Sequence, residues 1–414
     1  MSLFSMAAWM LALLYGGVPH LAAAQDGPPF PRIANSLGNL ITPTATSKDI
    51  ADAARYSLII AGFRGDWHNT GVRRKLEDKV AEVRARNPRI LILGPTVSIA
   101  YAGTWEKDFP QDGWLLQADG KRIKGWPGTE MINLHKEDVL DWLAQQAKLS
   151  ATMQGVDGVF VDNMTPRFDA WAANIATHEP YTVDADGDGK PDDPKWLNQE
   201  WGRAKMTLAR KIREAIGPDK YFVANTTSDA PASYLNGALL EDYMDYVLDG
   251  KKTWDSVFGE YQRWMRQARP PALTTLLGSS GVTPPFNAQK RPQSEQDELL
   301  NKGRARVQRM RFGLTTALMG DGYFAYDLNT RWRGQRWWYP EYDAPLGYPK
   351  GDARKQSDGT WRRDFDGGVV IVNPTRQTAT VRFAKDYQDV SSSTKDRTFT
   401  IPAQDGRIFL PVKS

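Results

Sequence analysis

Gly155-Val-Asp-Gly-Val-Phe-Val-Asp-Asn163 contains a short, almost entirely apolar run that ends in an acid, and Gly237-Ala-Leu-Leu-Glu-Asp242 repeats this layout. Strands that helices cover on both faces tend to be such near-continuous apolar runs. Because side chains alternate along a strand, Asp162 and Glu241 each face the same way as the apolar residue two positions earlier. The two stretches therefore predict buried parallel strands, each with a carboxylate at its carboxyl end.

Outward from these stretches, apolar runs and amphipathic helical patterns alternate from about residue 31 to residue 327. The predicted strands are Arg32–Ser36, Ser57–Ala61, Arg89–Leu93, Val156–Val161, Tyr221–Ala224, Ala238–Leu240, Ala272–Leu277 and Tyr323–Tyr326. The predicted helices are Val72–Arg86, Lys136–Met153, Pro194–Ile216, Thr253–Gln267 and Ser294–Met319. This alternation predicts the α/β class and favours a (β/α)₈ TIM barrel. An open doubly wound sheet is the alternative, but no Gly-x-Gly-x-x-Gly turn opens a helix after a strand.

The two ends of the chain differ in pattern from the barrel. The first 21 residues contain no Lys, Arg, Asp or Glu, and their apolar run at 6–15 has the length of a signal-peptide core. Ala22-Ala-Ala24 provides a small-residue cleavage site. From Trp361 onward, short β segments and turn residues replace the helical pattern. We therefore predict a signal peptide at 1–24, the barrel at 25–330, and a junction with a small C-terminal antiparallel β-sandwich domain at 331–414.

Composition excludes several classes of protein. The 414 residues include no cysteine, which excludes disulfides, thiolate metal sites and cysteine nucleophiles, and only 4 histidines, which disfavours a divalent-metal hydrolase. The 53 basic and 49 acidic residues give a net charge of +4, and their even spread predicts no nucleic-acid partner. No segment is long and apolar enough to span a bilayer. We expect an exported, periplasmic or extracellular monomer that needs no cofactor for catalysis and has no membrane partner.

Paired carboxylates at the mouth of a barrel are what glycoside hydrolysis requires. The reacting groups of a (β/α)₈ barrel lie at the carboxyl ends of its strands, which places Asp162 and Glu241 there, on the fourth and sixth strands. One carboxylic acid protonates the leaving oxygen, while the other carboxylate attacks the anomeric carbon or activates water. Two alternatives stay open: each acid caps a helix or pairs with an arginine, or the barrel binds carbohydrate without cleaving it.

Further residues that could contact a carbohydrate follow the predicted strands. Amide and carboxylate groups there can bond to sugar hydroxyls, and tryptophan rings can stack on sugar faces. For the asparagines, the alternative is that they only form turns. A long loop at 96–133 could form a wall of the binding cleft. The candidates for substrate binding are Arg64, Trp67, Trp105, Asn163, Asn225 and Asp327.

Asp184-Ala-Asp-Gly-Asp-Gly-Lys-Pro-Asp192 has the spacing of a calcium loop. Aspartates at positions 1, 3, 5 and 9, with glycine at position 6, can wrap oxygen atoms around one hard cation. Position 12, normally glutamate, is Lys195. We predict a structural Ca²⁺ here, and the alternative is an acidic surface loop. The candidate ligands are Asp184, Asp186, Asp188 and Asp192.

The two acid-ending stretches, together with Trp361-Arg-Arg-Asp-Phe-Asp-Gly-Gly-Val-Val-Ile-Val-Asn-Pro374, resemble the glycoside hydrolase-like (β/α)₈-barrel proteins. That family is similar in turn to the endo-α-1,4-polygalactosaminidases. The resemblance covers nearly all of the chain after residue 24. It implies that Asp162 is the nucleophile of a retaining reaction, that Glu241 is the general acid/base, and that the substrate is a polysaccharide, with amino-sugar polymers among the candidates.

Overall fold

The computed structural model describes residues 27–103, 108–125, 128–169, 181–285, 287–328 and 337–412. The predicted signal peptide at 1–24 and the candidate Trp105 therefore lie outside the described residues. The described chain consists of strands and helices in alternation up to residue 328, followed by an antiparallel sheet.

Eight parallel strands are arranged in a closed ring. They are β1 (Ala34–Ser36), β2 (Leu58–Ile60), β3 (Leu91–Ile92), β4 (Gly158–Asp162), β5 (Tyr221–Asn225), β6 (Gly237–Glu241), β7 (Thr275–Ser279) and β8 (Tyr323–Asp327). Neighbours in the chain pair in parallel. Two single bridges complete the circuit, Leu93 with Gly158 between β3 and β4, and Ile33 with Phe324 between β1 and β8. This is the strand order of the predicted TIM barrel, and each predicted strand overlaps an observed one.

Helices surround the ring. They are α1 (Ser47–Ala53), α2 (Thr70–Arg86), α3 (Glu137–Ala151), α4 (Pro194–Ile216), α5 (Tyr243–Leu248), α6 (Trp254–Gln267), α7 (Gln293–Arg304) and α8 (Val307–Leu318). The prediction of one helix at 294–319 was wrong, because Arg306 has ψ 45° and interrupts the helical hydrogen bonds between α7 and α8. The two helices also differ in environment, since α7 buries only Gly303, whereas most of α8 is buried.

Alternate strand positions fill the interior of the ring. These inward side chains form an apolar cluster of their own, separate from the larger core between the strands and helices. Members of the cluster include Leu58, Ile60, Phe160, Val223, Leu239, Leu277 and Ala325. Because side chains alternate, a strand residue two positions after one of these points into the ring as well, nearer to its carboxyl-end mouth.

The C-terminal domain is one antiparallel sheet of six strands. They are β9 (Arg354–Lys355), β10 (Trp361–Asp364), β11 (Val369–Asn373), β12 (Ala379–Asp389), β13 (Lys395–Ile401) and β14 (Asp405–Pro411), in the order β9-β10-β11-β14-β12-β13. The Asn373 side-chain amide donates to Ile401 O at 3.1 Å and Pro402 O at 3.0 Å, although two strands separate β11 from β13 in that order. The domain predicted as a two-sheet sandwich is therefore a single curled sheet.

Helix α8 joins the barrel to this sheet. Arg311 on α8 donates two hydrogen bonds to the buried carboxylate of Asp405, of 3.0 and 2.7 Å. Gly406 packs so closely on α8 that an added Cβ would lie 1.9 Å from Thr315 Oγ1. At the other end of the chain, Arg32 donates a 2.8 Å hydrogen bond to Asp321 O, 289 residues away, beside the bridge that closes the ring.

Among the described residues, the helices all lack the length and apolar character required to cross a membrane.

Candidate active site

The mouth of the barrel carries acids at the ends of the fourth, sixth and eighth strands. Asp162 ends β4, Glu241 ends β6 and Asp327 ends β8. Each lies two positions after a residue of the interior cluster, which places all three on the inward face. Asn225 ends β5 on the same face, between the two predicted catalytic acids. The structure therefore brings together four of the residues that the sequence singled out.

Asp162 is surrounded by hydrogen-bond donors from Asn163. The backbone N–H of Asn163 donates to Asp162 Oδ1 at 3.0 Å. With its nitrogen turned toward Asp162, the Asn163 side-chain amide lies 3.2 Å from both carboxylate oxygens. Bonds donated to a carboxylate favour its ionised form. Asn163 therefore favours the anionic form of Asp162, and its contact with a sugar stays a prediction.

Glu241 is oriented by the neighbouring strand. The side-chain amide of Asn225 donates a 2.7 Å hydrogen bond to Glu241 Oε2. The carbonyl oxygen of Asn225 accepts a 2.9 Å bond from the N–H of Met164, in the segment that follows Asp162. Asn225 thus connects the ends of β4, β5 and β6 and orients Glu241, and its contact with a substrate stays a prediction.

The backbone at the mouth is strained at four strand ends. The residue directly after β1, β2, β4 and β6 has a positive φ, and none of these residues is glycine: Leu37 at 60°, Ala61 at 50°, Asn163 at 67° and Asp242 at 59°. Such conformations cost on the order of 1–3 kcal/mol each and occur preferentially at functional sites. Asn163 and Asp242 are the matched pair, since each follows one of the two predicted catalytic acids.

A buried ion pair lies behind Asp162. Lys205 on α4 has no exposed side-chain surface, and its Nζ donates to Asp169 Oδ2 at 2.6 Å and to Thr165 O at 3.1 Å. Burial lowers the pKa of Lys205, while the negative charges of Asp169 and Asp162 act in the opposite direction. The pair fixes the segment that follows β4, and Lys205 also interacts electrostatically with Asp162. Sequence analysis missed this ion pair, because lysine is rarely buried.

Arg64 and Trp67 lie in the segment after β2, as predicted. Arg64 is exposed, whereas Trp67 is half-buried against the main core and stacks near His68, with 3.8 Å between ring centroids. The exposed guanidinium is the more accessible of the two to a carbohydrate.

The acidic loop at 184–192 is compact. Asp184 accepts hydrogen bonds from the N–H groups of Gly187 at 2.8 Å, Asp188 at 3.1 Å and Gly189 at 3.0 Å. Asp192 accepts a 2.6 Å bond from the N–H of Ala185. Burial raises the pKa of Asp192, and the charges of the other three aspartates raise it further.

The loop fits a calcium ion in part. Carboxylate oxygens of Asp184, Asp186 and Asp188 lie within 4.8 Å of one another, close enough to share one cation. Gly189 has φ 81°, the conformation for which a glycine is needed at the sharp turn of such a loop. The acid nearest to position 12, Asp193, caps α4 in this conformation, since its Oδ1 accepts from Lys195 N at 2.9 Å.

Sequence reasoning missed three serines at the mouth. Ser36 ends β1 and Ser279 ends β7, both on the inward face by alternation, and Ser98 lies in a short strand beside Asp162. The alternation used for the acids could have found Ser36, which ends a predicted strand. It could not have found Ser98, because the predicted third strand ended at Leu93.

Paired carboxylates at the mouth of a barrel are the arrangement that glycoside hydrolysis requires, and the family match of the chain gives the same class, a glycoside hydrolase. The family model described as "Hypothetical glycosyl hydrolase family 15" matches residues 99–369, a span that includes both acids. The chain belongs to this family.

Solved structures share the fold at low sequence identity. An α-amylase from Geobacillus thermoleovorans, complexed with acarbose, is 12% identical over 92% of this chain and 97% of its own, with a TM-score of 0.50. A maltogenic α-amylase from Thermotoga neapolitana (8% identity, 92% and 99% coverage) and a cyclic α-maltosyl-(1→6)-maltose hydrolase from Arthrobacter globiformis (14%, 88% and 88%) each have a TM-score of 0.49. No curated protein matches the chain in sequence.

Proposed function

We propose that this protein is an exported, monomeric glycoside hydrolase that cleaves glycosidic bonds in a polysaccharide with retention of configuration. The observation that carries the proposal is the inward placement of Asp162 and Glu241 at the ends of β4 and β6. Asp162 is the nucleophile, in keeping with its donors from Asn163 and with the buried cation of Lys205. Glu241 is the general acid/base, in keeping with its fixed orientation.

The reaction takes two steps. In the first, an oxygen of Asp162 bonds to the anomeric carbon while Glu241 transfers its proton to the departing glycosidic oxygen. In the second, Glu241, now a carboxylate, takes a proton from water, and the water oxygen displaces Asp162 from the anomeric carbon. Each step inverts the configuration, so the product retains that of the substrate. Neither step needs a cofactor.

The substrate proposal is a polysaccharide, with amino-sugar polymers first among the candidates. It rests on the resemblance of the motifs around Asp162 and Glu241 to the barrel proteins similar to endo-α-1,4-polygalactosaminidases. Arg64 and Asp327 supply further polar groups for sugar hydroxyls.

The proposed calcium ion has a structural role. The carboxylates of Asp184, Asp186, Asp188 and Asp192 would hold it, and water would complete its coordination. The loop begins in a short strand, Val183–Asp184, that pairs with Leu116–Gln117 of the long loop after β3. The ion would therefore stabilise the contact between these two segments and supply no step of the reaction.

The test is product analysis on a panel of polysaccharides that includes amino-sugar polymers. Wild type should release sugars, whereas Asp162→Asn and Glu241→Gln should lose most of the turnover and keep the fold. Asp255→Asn is the matched control, because Asp255 is exposed on α6 at the outside of the barrel. NMR of the first-formed product should show the retained anomer. An inverted product would overturn the nucleophile role of Asp162, and near-normal turnover by either variant would overturn the catalytic pair.

A further inference from the structure

Ser98 lies directly beside Asp162. The short strand Val97–Ser98 pairs in parallel with the end of β4, with Val97 opposite Val161 and Ser98 opposite Asp162. Val97 and Val161 are both buried in the core between strands and helices. Because alternate residues point to opposite faces, Ser98 shares the inward face with the carboxylate of Asp162.

The hydroxyl of Ser98 has no hydrogen-bond partner within the part of the chain that the structure describes, although its oxygen is shielded from solvent. A buried polar atom without a partner is unfavourable, and folded proteins contain few of them. Ser36, which is 8% exposed and faces the mouth from β1, has the same unsatisfied hydroxyl. These are the two serines with this property among the described residues, and both lie at the mouth.

Ser150, a third serine, differs from Ser98 and Ser36 in that its hydroxyl has a hydrogen-bond partner. Ser150 on α3 is fully buried, and its hydroxyl donates a 2.7 Å hydrogen bond to Pro95 O, in the segment that leads to Val97. Its hydroxyl therefore has a role within the fold. Among the described residues, the hydroxyl of Ser98 has no such role, which leaves it available to a ligand.

We infer that Ser98 is a substrate-binding residue, whose hydroxyl bonds to the C2 substituent of the sugar that Asp162 attacks. The inference rests on the proposed function. A sugar whose anomeric carbon meets Asp162 presents its C2 substituent beside that carbon, and Ser98 is the neighbour of Asp162 on one side. A serine hydroxyl can donate or accept, so it can bond to a hydroxyl or to an N-acyl group. In glycoside hydrolysis, bonds at the 2-position strengthen in the transition state.

The experiment compares Ser98→Ala with Ser150→Ala, the same substitution at two buried serines. Loss of an unsatisfied hydroxyl should leave the melting temperature of Ser98→Ala equal to or above that of wild type. Its kcat/KM on the best polymer of the panel should fall about tenfold, the effect of one hydrogen bond made in the transition state. Ser150→Ala should show a lower melting temperature, because Pro95 O loses its partner.

The outcomes separate the inference from the function on which it rests. A Ser98→Ala variant with unchanged kcat/KM overturns the inference and leaves the function standing, provided that Asp162→Asn is inactive. A melting temperature lowered as far as that of Ser150→Ala also overturns it, because Ser98 would then serve the fold. Wild type that cleaves no polymer of the panel overturns the function, and the inference with it.

Discussion

The side-chain amide of Asn225 donates a 2.7 Å hydrogen bond to Glu241 Oε2, so the proposed general acid receives its orientation from the adjacent strand. An oxygen that accepts this bond is not the one that carries the proton, so the protonated acid holds its proton on Oε1. In the proposed mechanism, the amide thus selects which oxygen of Glu241 protonates the leaving group.

The first prediction concerns Asn225. Asn225→Ala removes the donor and frees Glu241 to rotate, and kcat should fall about tenfold, the effect of one hydrogen bond. Asn225→Asp places an acceptor of like charge against Oε2 and should lose more. Steady-state kinetics of both variants, with melting temperatures as a check on the fold, measure this. Equal kcat values for the two variants and wild type would show that the amide does not act on Glu241.

The second prediction concerns calcium and pH. Folding raises the pKa of Asp192 above that of an aspartate in the unfolded chain, which is near 4. At a pH between these two pKa values, the folded chain therefore binds more protons than the unfolded chain. Without calcium, the contribution of this loop to stability should therefore fall as the pH rises through that window. Calcium stabilises the ionised carboxylates, so its effect on the melting temperature should be larger at neutral pH than near pH 4.

Asp186→Asn is the matched variant for this test. It keeps an oxygen that can accept the 3.1 Å bond from Asp188 N but removes one charge from the cluster. Calcium should raise its melting temperature less than that of wild type. If wild type melts at the same temperature in excess calcium and in excess chelator, the loop holds no calcium.

The third prediction concerns the buried ion pair of Lys205 and Asp169. Lys205→Met leaves the carboxylate of Asp169 buried without its counter-ion and should cost about 3–5 kcal/mol in the free energy of unfolding. The double variant Lys205→Met, Asp169→Leu removes both charges and should recover a large part of that loss. Urea denaturation measures both values. A double variant no more stable than Lys205→Met would contradict the idea that the buried carboxylate of Asp169, deprived of the Lys205 cation, causes the loss.

The fourth prediction concerns the contact between the barrel and the C-terminal sheet. Gly406→Ala would force a Cβ against Thr315 Oγ1 and should cost about 1–3 kcal/mol. Gly351→Ala is the control, because a Cβ there meets no atom within 4 Å. Melting temperatures should therefore fall for the first variant and stay near wild type for the second. If Gly351→Ala lowered the melting temperature more than Gly406→Ala, the close contact between α8 and the sheet would not lie at Gly406.

Patterns of neighbouring residues, namely apolar runs and the alternation of side chains, predicted the barrel strands and the direction in which their side chains point. The eight barrel strands overlap the apolar runs from which they were predicted, and alternation placed Asp162 and Glu241 on the inward face. The position of Ser98 depends on the register between two segments 64 positions apart, which no run of residues encodes. The break at Arg306 is equally hidden, because neither proline nor glycine stands at 305–306.

The ring closes where β1 meets β8, through the bridge of Ile33 with Phe324. We expect this closure to set the stage of folding at which the site forms. Arg32 and Asp321 meet across 289 residues, and closing so long a segment costs roughly 5 kcal/mol of chain entropy. A nascent chain that has emerged only as far as β7 carries both acids on an open sheet, whose curvature the missing strand has not yet set. We therefore expect the distance between Asp162 and Glu241 to reach its final value late in folding, although both residues lie near the middle of the chain.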